Sequence, residues 1–232
     1  MIPWIDEDNP VFPPVEQALK DPDGLLCAGG NLRPTTLLQA YSHGIFPWYS
    51  DGQPLLWWSP DPRMVLTPQT LHVSRSMKRF LRKMQWTVTA DKAFPQVIEA
   101  CSAIPRDDQD GTWITEEMMQ AYINLYYLGF THSIEVWDEK GKLIGGLYGV
   151  AMGRVFFGES MFSFETNASK TALVSLMNSG CYDLVDCQMH TAHLETMGGQ
   201  IQPRSVFLIA MQTLIKRPTS SLVTGVESFY EK

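Results

Sequence analysis

The sequence predicts an α+β fold: a mixed sheet with helices packed on it. Three observations carry this. THSIEVW (131–137), LIGGLYGVAMG (143–153) and RVFFGESMF (154–162) read as consecutive antiparallel strands. Segments of helical periodicity stand on both sides of them. One short strand, LVDCQ (184–188), returns between two helices, which mixes the sheet.

Residues 1–33 are rich in Pro and Gly and read as loops with a short strand or two. Pro34 suits a first helical position, Leu37, Leu38 and Tyr41 follow at helical spacing, and Gly44 closes that helix. Next comes GIFPWYSDGQPLLWWSPDPR (44–63), with five aromatic residues and four prolines. The prolines forbid a helix interior or a central strand, and so many rings are too apolar for a plain linker. A domain boundary is placed at its end, giving a small domain over 1–62 and a larger one over 63–232. Trp57 and Trp58 are expected to pack between the two.

Ser74 can cap a helix over 75–84, and WTVTA (86–90) reads as a strand. Asp91 is expected to open a helix, 103–112 to be a loop, and Thr115 with Glu116 and Glu117 to start a helix ending at Gly129. Asn167 is expected to cap the helix ASKTALVSLMNSG, and Ser205 to begin a final amphipathic helix. Gly145, Gly146 and Gly149 sit inside an extended segment, where glycine permits a bulge or close backbone approach.

No uninterrupted apolar run approaches the roughly 18–20 residues of a membrane span. The start, MIPWIDEDNP, has no basic or apolar export signature, and the four cysteines form no CxxC pair. A cytoplasmic protein with reduced thiols is the expectation. His190 and His193 lack a third ligand at convincing spacing, so no metal is expected. The net charge is −7, but its distribution is uneven. Between Asp61 and Asp91 there is no acid and six of the 18 bases; the other 12 bases against 25 acids leave −13 elsewhere. Arg75, Lys78, Arg79, Arg82 and Lys83 fall on one helical face, with Met77, Phe80, Leu81 and Met84 on the other. Such a face is either a solvated surface or a footprint for a polyanion.

Asp186 and Gln188 share a face if LVDCQ alternates regularly, with Cys187 opposite. A carboxylate holding the amide NH2 there would aim the amide oxygen outward, where it can accept hydrogen from an amine; the plain alternative is a strand-end pair capping backbone. Glu159 shares a face with Phe157 and Met161 under the same alternation, so it is expected among apolar groups, partnered by a cationic ligand or by a donor of the core.

The segments GLLCAGGNL, YSHGIFPWYS, LLWWSPDPR, SRSMKRF, GTWIT, HSIEVW, GGLYGV, FFGESMFS, NASKTAL and DCQ occur in that order. Together, from about Phe12 to Arg204, the chain resembles bacterial leucyl/phenylalanyl-tRNA–protein transferases. The resemblance implies transfer of Leu, Phe or Met from aminoacyl-tRNA to proteins with N-terminal Arg or Lys, tagging them for N-degron degradation. It implies a small N-terminal domain, a larger acetyltransferase-like (GNAT-like) domain, and neither metal nor other cofactor. A monomer is expected. Family sites fall on Tyr41 and Trp48 near the terminal adenosine and aminoacyl group, on Leu147 and Phe156 in an apolar pocket, and on Glu159, Asp186 and Gln188 for polar work. The basic helix would meet tRNA phosphates. Leu147 stands where Met is common, Arg33 stands where a Ser cap is familiar, and the stretch between Leu176 and Asp183 is a few residues short. Two other classes compete. A coenzyme-A-dependent acetyltransferase would need a Gly-rich turn at a helix start, and Phe164–Ser169 has no glycine. A non-catalytic RNA-binding module would leave Asp186, Gln188 and Glu159 without a task.

Overall fold

Two sheets partition the chain. The computed structural model describes residues 2–104 and 114–230. The first sheet has four strands, β1 (Trp4–Ile5), β2 (Leu25–Gly29), β3 (Phe46–Pro47) and β4 (Leu56–Trp58), in the order β1-β2-β4-β3. Helix α1 (Pro34–Ser42) leaves β2 with Pro34 at its start; Arg33 precedes it without a side-chain cap. The prolines of 44–63 thus sit in very short strands and the turns between them. Trp57 stands edge-on to Phe12 and donates Nε1 to the Gly29 carbonyl; Trp58 donates to the Trp48 carbonyl. Both indoles take these partners from residues 1–62, where the sequence suggested a place between domains.

The remaining elements follow in order: β5 (Arg63–Leu66), α2 (Arg75–Leu81), β6 (Thr87–Ala90), α3 (Phe94–Ala103), α4 (Glu116–Tyr127), β7 (Thr131–Trp137), β8 (Leu143–Met152), β9 (Val155–Ser163), α5 (Ala168–Asn178), β10 (Leu184–Gln188), α6 (Ala192–Thr196), β11 (Gln200–Gln202), α7 (Arg204–Leu214) and α8 (Leu222–Tyr230). The second sheet runs β11-β5-β10-β9-β8-β7-β6. Among the described residues its one parallel pairing is β9 with β10; the rest are antiparallel, so the sheet is mixed.

Its two faces carry two cores. Tyr148, Val150, Phe157 and Phe162 face one core, with Tyr41 of α1, Val97 of α3, Tyr122 of α4 and Phe207 of α7. Ile134, Leu147 and Phe156 face the other, with Leu173 of α5 and Val226 of α8. Helix α5 is buried on nearly every side, because α8 covers the flank that the sheet leaves open. Gly149 is required where it stands: a Cβ there would lie 2.1 Å from the Phe157 carbonyl oxygen.

Several expectations are corrected. Asp91 does not cap α3. Its φ is +57°, its carboxylate accepts from the Ser133 backbone and meets His132 Nδ1 at 2.7 Å, and α3 begins later with Ala93 at the cap. Asn167 precedes α5 in the left-handed region with no side-chain cap bond. The helix at 204–214 is not the last, since α8 follows it. Strands β5 and β11 and helix α6 had no signal strong enough to predict them. The loop expected over 103–112 lies, from 105 on, outside the described residues. Ser74, by contrast, accepts from Met77 N, and Thr115 from Met118 N, as expected of caps.

Candidate active site

β9 and β10 pair only over Val155–Phe157 and Leu184–Asp186. Just past that point each strand carries a bulge. On β9, Tyr148 and Gly149 of β8 face Ser160 and Gly158, leaving Glu159 as the extra residue. On β10, Val65 and Met64 of β5 face Asp186 and Gln188, leaving Cys187 as the extra one. A bulge reverses the alternation beyond it and re-aims a side chain. Phe157 therefore belongs to one core while Met161 packs on the other, which corrects the face assigned to Glu159 by simple alternation.

Between the diverging strands lies a cavity of about 460 Å³. Trp48, Leu147, Phe156, Glu159 and Gln188 all line it, so five of the seven residues singled out for catalysis or substrate binding meet in one place. Its apolar wall is completed by Phe46, Met161, Leu173, Leu176 and Val185. Tyr41 is not on the wall. It lies behind Glu159, fully buried, and donates its hydroxyl to Glu159 Oε1 at 2.7 Å.

Glu159 is buried and receives three donors. Tyr41 and the Gln188 side-chain amide, at 3.0 Å, reach Oε1; Tyr122, at 3.0 Å, reaches Oε2. The two phenol oxygens are themselves 2.5 Å apart. Burial pushes the Glu159 carboxyl up to about 7; the bonds from Tyr41, Tyr122 and Gln188 oppose this, and the nearby Asp186 charge adds to it. The same burial, with the charge of Glu159, raises both phenols well above their ordinary value. Tyr122 escaped the sequence reading; its only signal was an inward position on an amphipathic helix.

Asp186 is not the partner of the Gln188 amide, which corrects the pairing expected from alternation. Its carboxylate is fully buried and takes Arg63 in a two-pronged ion pair, Nε to Oδ1 at 2.8 Å and Nη2 to Oδ2 at 2.6 Å. Arg63 also donates to the Gly44 carbonyl and lies between the rings of Phe46 and Phe207, 4.9 and 4.8 Å from their centres. Asp186 Oδ1 accepts the backbone N–H of Gln188 at 2.9 Å. Gln188 has φ +62°, a conformation that a non-glycine residue adopts only when its surroundings impose it. Here they do: the bulge and the Asp186 bond turn the backbone, and the side chain enters the cavity beside Cys187.

An ionised Glu159 can only accept, so the Gln188 NH2 faces it and the amide oxygen is left for a ligand. The Cys187 thiol is raised strongly by burial and by Asp186, with Arg63 opposing, so the wall offers no thiolate nucleophile. His190 is spent on Glu195 at 3.0 Å. Among the described residues no group of three or more His, Cys, Asp or Glu is placed to hold a metal, and no helix is long and apolar enough to cross a membrane.

Arg75, Lys78 and Arg79 of α2, with Arg82 and Lys83 of the turn that ends it, are all exposed, while Met77 is buried beneath them. None of the five lines the cavity. Helix α2 is tied to the cavity through the core: Leu81 packs on the cluster that includes Leu147, Phe156 and Leu173.

A family model described as "Leucyl/phenylalanyl-tRNA protein transferase" matches residues 65–212, and one described as its N-terminal domain matches residues 30–61. The chain is similar to the leucyl/phenylalanyl-tRNA–protein transferase of Stutzerimonas stutzeri, 53% identical over 224 residues, covering 95% of this chain and 98% of that one. It is also 58% identical over 204 residues to that of Xanthomonas oryzae pv. oryzae, covering 87% and 81%. Among solved structures, a functionally unknown conserved protein from Staphylococcus epidermidis superposes with TM-score 0.43 at 12% identity, covering 77% of this chain and 68% of that one, too distant to argue from.

Proposed function

The chain belongs to the leucyl/phenylalanyl-tRNA–protein transferase family, and from that premise we propose how its cavity performs the transfer from aminoacyl-tRNA to a protein N-terminus. The cavity takes the apolar side chain of Leu, Phe or Met, still esterified to the tRNA 3′ end, against Leu147 and Phe156. Trp48 stacks on the terminal adenine, worth about 1–3 kcal/mol. The acceptor is a protein whose first residue is Arg or Lys. Its α-amine attacks the ester while the Gln188 amide oxygen accepts a hydrogen bond from it. Tyr41 acts from behind, by holding Glu159.

The observation that carries this reading is the bond from Gln188 Nε2 to Glu159 Oε1 on the wall of a mostly apolar cavity. It fixes an acceptor oxygen beside a pocket made for a hydrocarbon side chain. The ester is already activated, so positioning supplies the main acceleration, up to about 7–11 kcal/mol in ideal cases. Asp186 acts through the backbone of Gln188 and through Arg63. Glu159 holds the amide. The five cations around α2 meet phosphates of the acceptor stem.

The same proposal includes the division into 1–62 and 63–232, supported by one sheet ending at Trp58 and the other starting at Arg63. It includes an acetyltransferase-like topology for the larger part, supported by the parallel pair β9 and β10 parting at the cavity. It also includes a monomer acting in the cytoplasm to create N-degrons, without metal or coenzyme A. The test mixes the protein with labelled Leu-tRNA or Phe-tRNA and a peptide beginning with Arg, in the absence of coenzyme A. Labelled peptide is expected; none overturns the reading.

A further inference from the structure

The cavity is a slot cut through the sheet. Its lining comes from both cores: Tyr148 packs in one, Leu147, Phe156 and Leu173 in the other. Consecutive residues 158–161 of β9 bound it on one side, and 187–189, at the end of β10, on the other. Side chains of a strand alternate between its faces, and a single bulge shifts that alternation only once. A strand that meets a cavity with four residues in a row, the first of them Gly158, meets it with its backbone edge.

That edge is long. Of the nine residues of β9, only Val155, Phe156 and Phe157 pair with β10. Beyond them, among the described residues, β9 pairs with β8 alone, and β10 itself ends at Gln188. A strand with one side bare presents a row of N–H and C=O groups to whatever lies beside it, and inside a cavity such groups need partners. The outer edges of the sheet, β11 and β6, do not line the cavity.

Resting on the transferase reading above, we propose that the first residues of the acceptor protein bind as an added strand along the open edge of β9, outward from Glu159 towards Ser163. Gln188 stands across the slot, its side-chain nitrogen 3.0 Å from Glu159 Oε1. An α-amine held by the Gln188 amide oxygen therefore lies at the inner end of this edge. The chain behind the amine leaves the slot extended, and four steps of strand, the run from Glu159 to Ser163, cover about 13 Å. Main-chain bonds suit such a ligand, because they hold any sequence alike while pockets read chosen side chains. A ribose-phosphate chain has no row of amide groups to match the edge, so the edge goes to the acceptor and not to the tRNA.

The test alters the ligand rather than the protein, so folding is not at issue. Wild type receives Leu-tRNA and peptides beginning with Arg, in which the amide N–H of residue 3 or of residue 4 is replaced by an ester oxygen. The change removes one donor and adds no bulk. Along one side of a strand only every second residue bonds to the neighbour. One of the two esters is therefore expected to raise the peptide KM by about fivefold, the other by less than about twofold, with kcat unchanged in both. Two silent esters, or two that raise KM equally, overturn the proposal. Amide hydrogen exchange locates the site: exchange within 158–163 is expected to slow when saturating Arg peptide joins protein already saturated with deacylated tRNA. Unchanged exchange there also overturns it. If the unmodified peptide is not labelled at all, it is the transferase reading that fails; if it is labelled and the esters are silent, only the added strand fails.

Discussion

Gln188 and Glu159 are joined across the gap between two strands: the amide of one donates to the carboxylate of the other at 3.0 Å, each residue beside or within a bulge. The backbone pairing of β9 and β10 has already ended there, so side chains take over the work of holding the strands in register. That makes the pair both a structural tie and the device that aims an acceptor into the cavity.

Glu159→Gln separates those two roles through pH. The folded carboxyl is raised from 4.5 to about 7, so its stabilising contribution is fully present below 4.5 and is lost as pH rises through 7. At 1.36 kcal/mol per pH unit this displacement corresponds to about 3 kcal/mol. Glutamine does not titrate. Urea unfolding should therefore show the variant gaining on wild type by about 3 kcal/mol between pH 4.5 and 8. Transfer should fall by about 10²-fold, because a glutamine at 159 no longer dictates which end of the Gln188 amide faces outward. A stability difference that is flat with pH contradicts the buried, raised carboxyl.

Asp186→Asn should be costly for a different reason. It leaves Arg63 charged, buried and pressed between Phe46 and Phe207, facing an uncharged amide with one acceptor oxygen in place of two. Breaking a buried pair from one side typically costs about 3–5 kcal/mol. Arg63→Lys should also destabilise, since an ammonium cannot reproduce the two-pronged contact. Urea unfolding at neutral pH measures both. Losses under about 1 kcal/mol would mean that water reaches the pair.

The sequence could be read wherever a residue's neighbours in the chain decide its conformation. Ser74, Thr115 and Pro34 mark helix starts by local chemistry, and the meander 131–163 shows its period directly. Two local cap readings, at Asp91 and Asn167, also failed, but the failures that bear on the site are long-range. Arg63 looked like one more cation in a basic stretch, yet its partner is 123 residues away. β5 has only four residues and no alternation, because both its faces are buried. Alternation placed Asp186 and Gln188 together, and a single extra residue at Cys187 undid that. Glu159 was expected among apolar groups with a donor from the core or a cation; its donors are Tyr41, Tyr122 and Gln188, from three distant elements. Identity of the residues was legible; which atom serves which was not.

Leu147→Phe tests the cavity as the aminoacyl pocket. Leu147 is buried, lines the cavity, and lies on the face that holds Phe156 and Leu173. A ring in its place takes up volume that a phenylalanyl side chain needs more than a leucyl one. The ratio of kcat/KM for Leu-tRNA over Phe-tRNA should rise about tenfold or more, within the range that pocket shape alone can supply. An unchanged ratio, with the variant folded and active, would place the aminoacyl group elsewhere.

Replacing Arg75, Arg79 and Lys83 together by Ala tests the basic face without disturbing the fold. All three side chains are exposed, and the helix is held by Met77 and Leu81 on its other side. Stability should change by less than about 0.5 kcal/mol per site. If these cations neutralise phosphates, each contact contributes about 0.7–0.9 to the salt slope, the values for single strands and for B-form duplex. The plot of log affinity for Leu-tRNA against log salt should then become shallower by about 2–3. Transfer at saturating Leu-tRNA should be little changed, because none of the three reaches the cavity. An unaltered slope would remove α2 from the tRNA interface. A loss of turnover at saturation would instead mean that the helix positions the acyl end as well as gripping the stem.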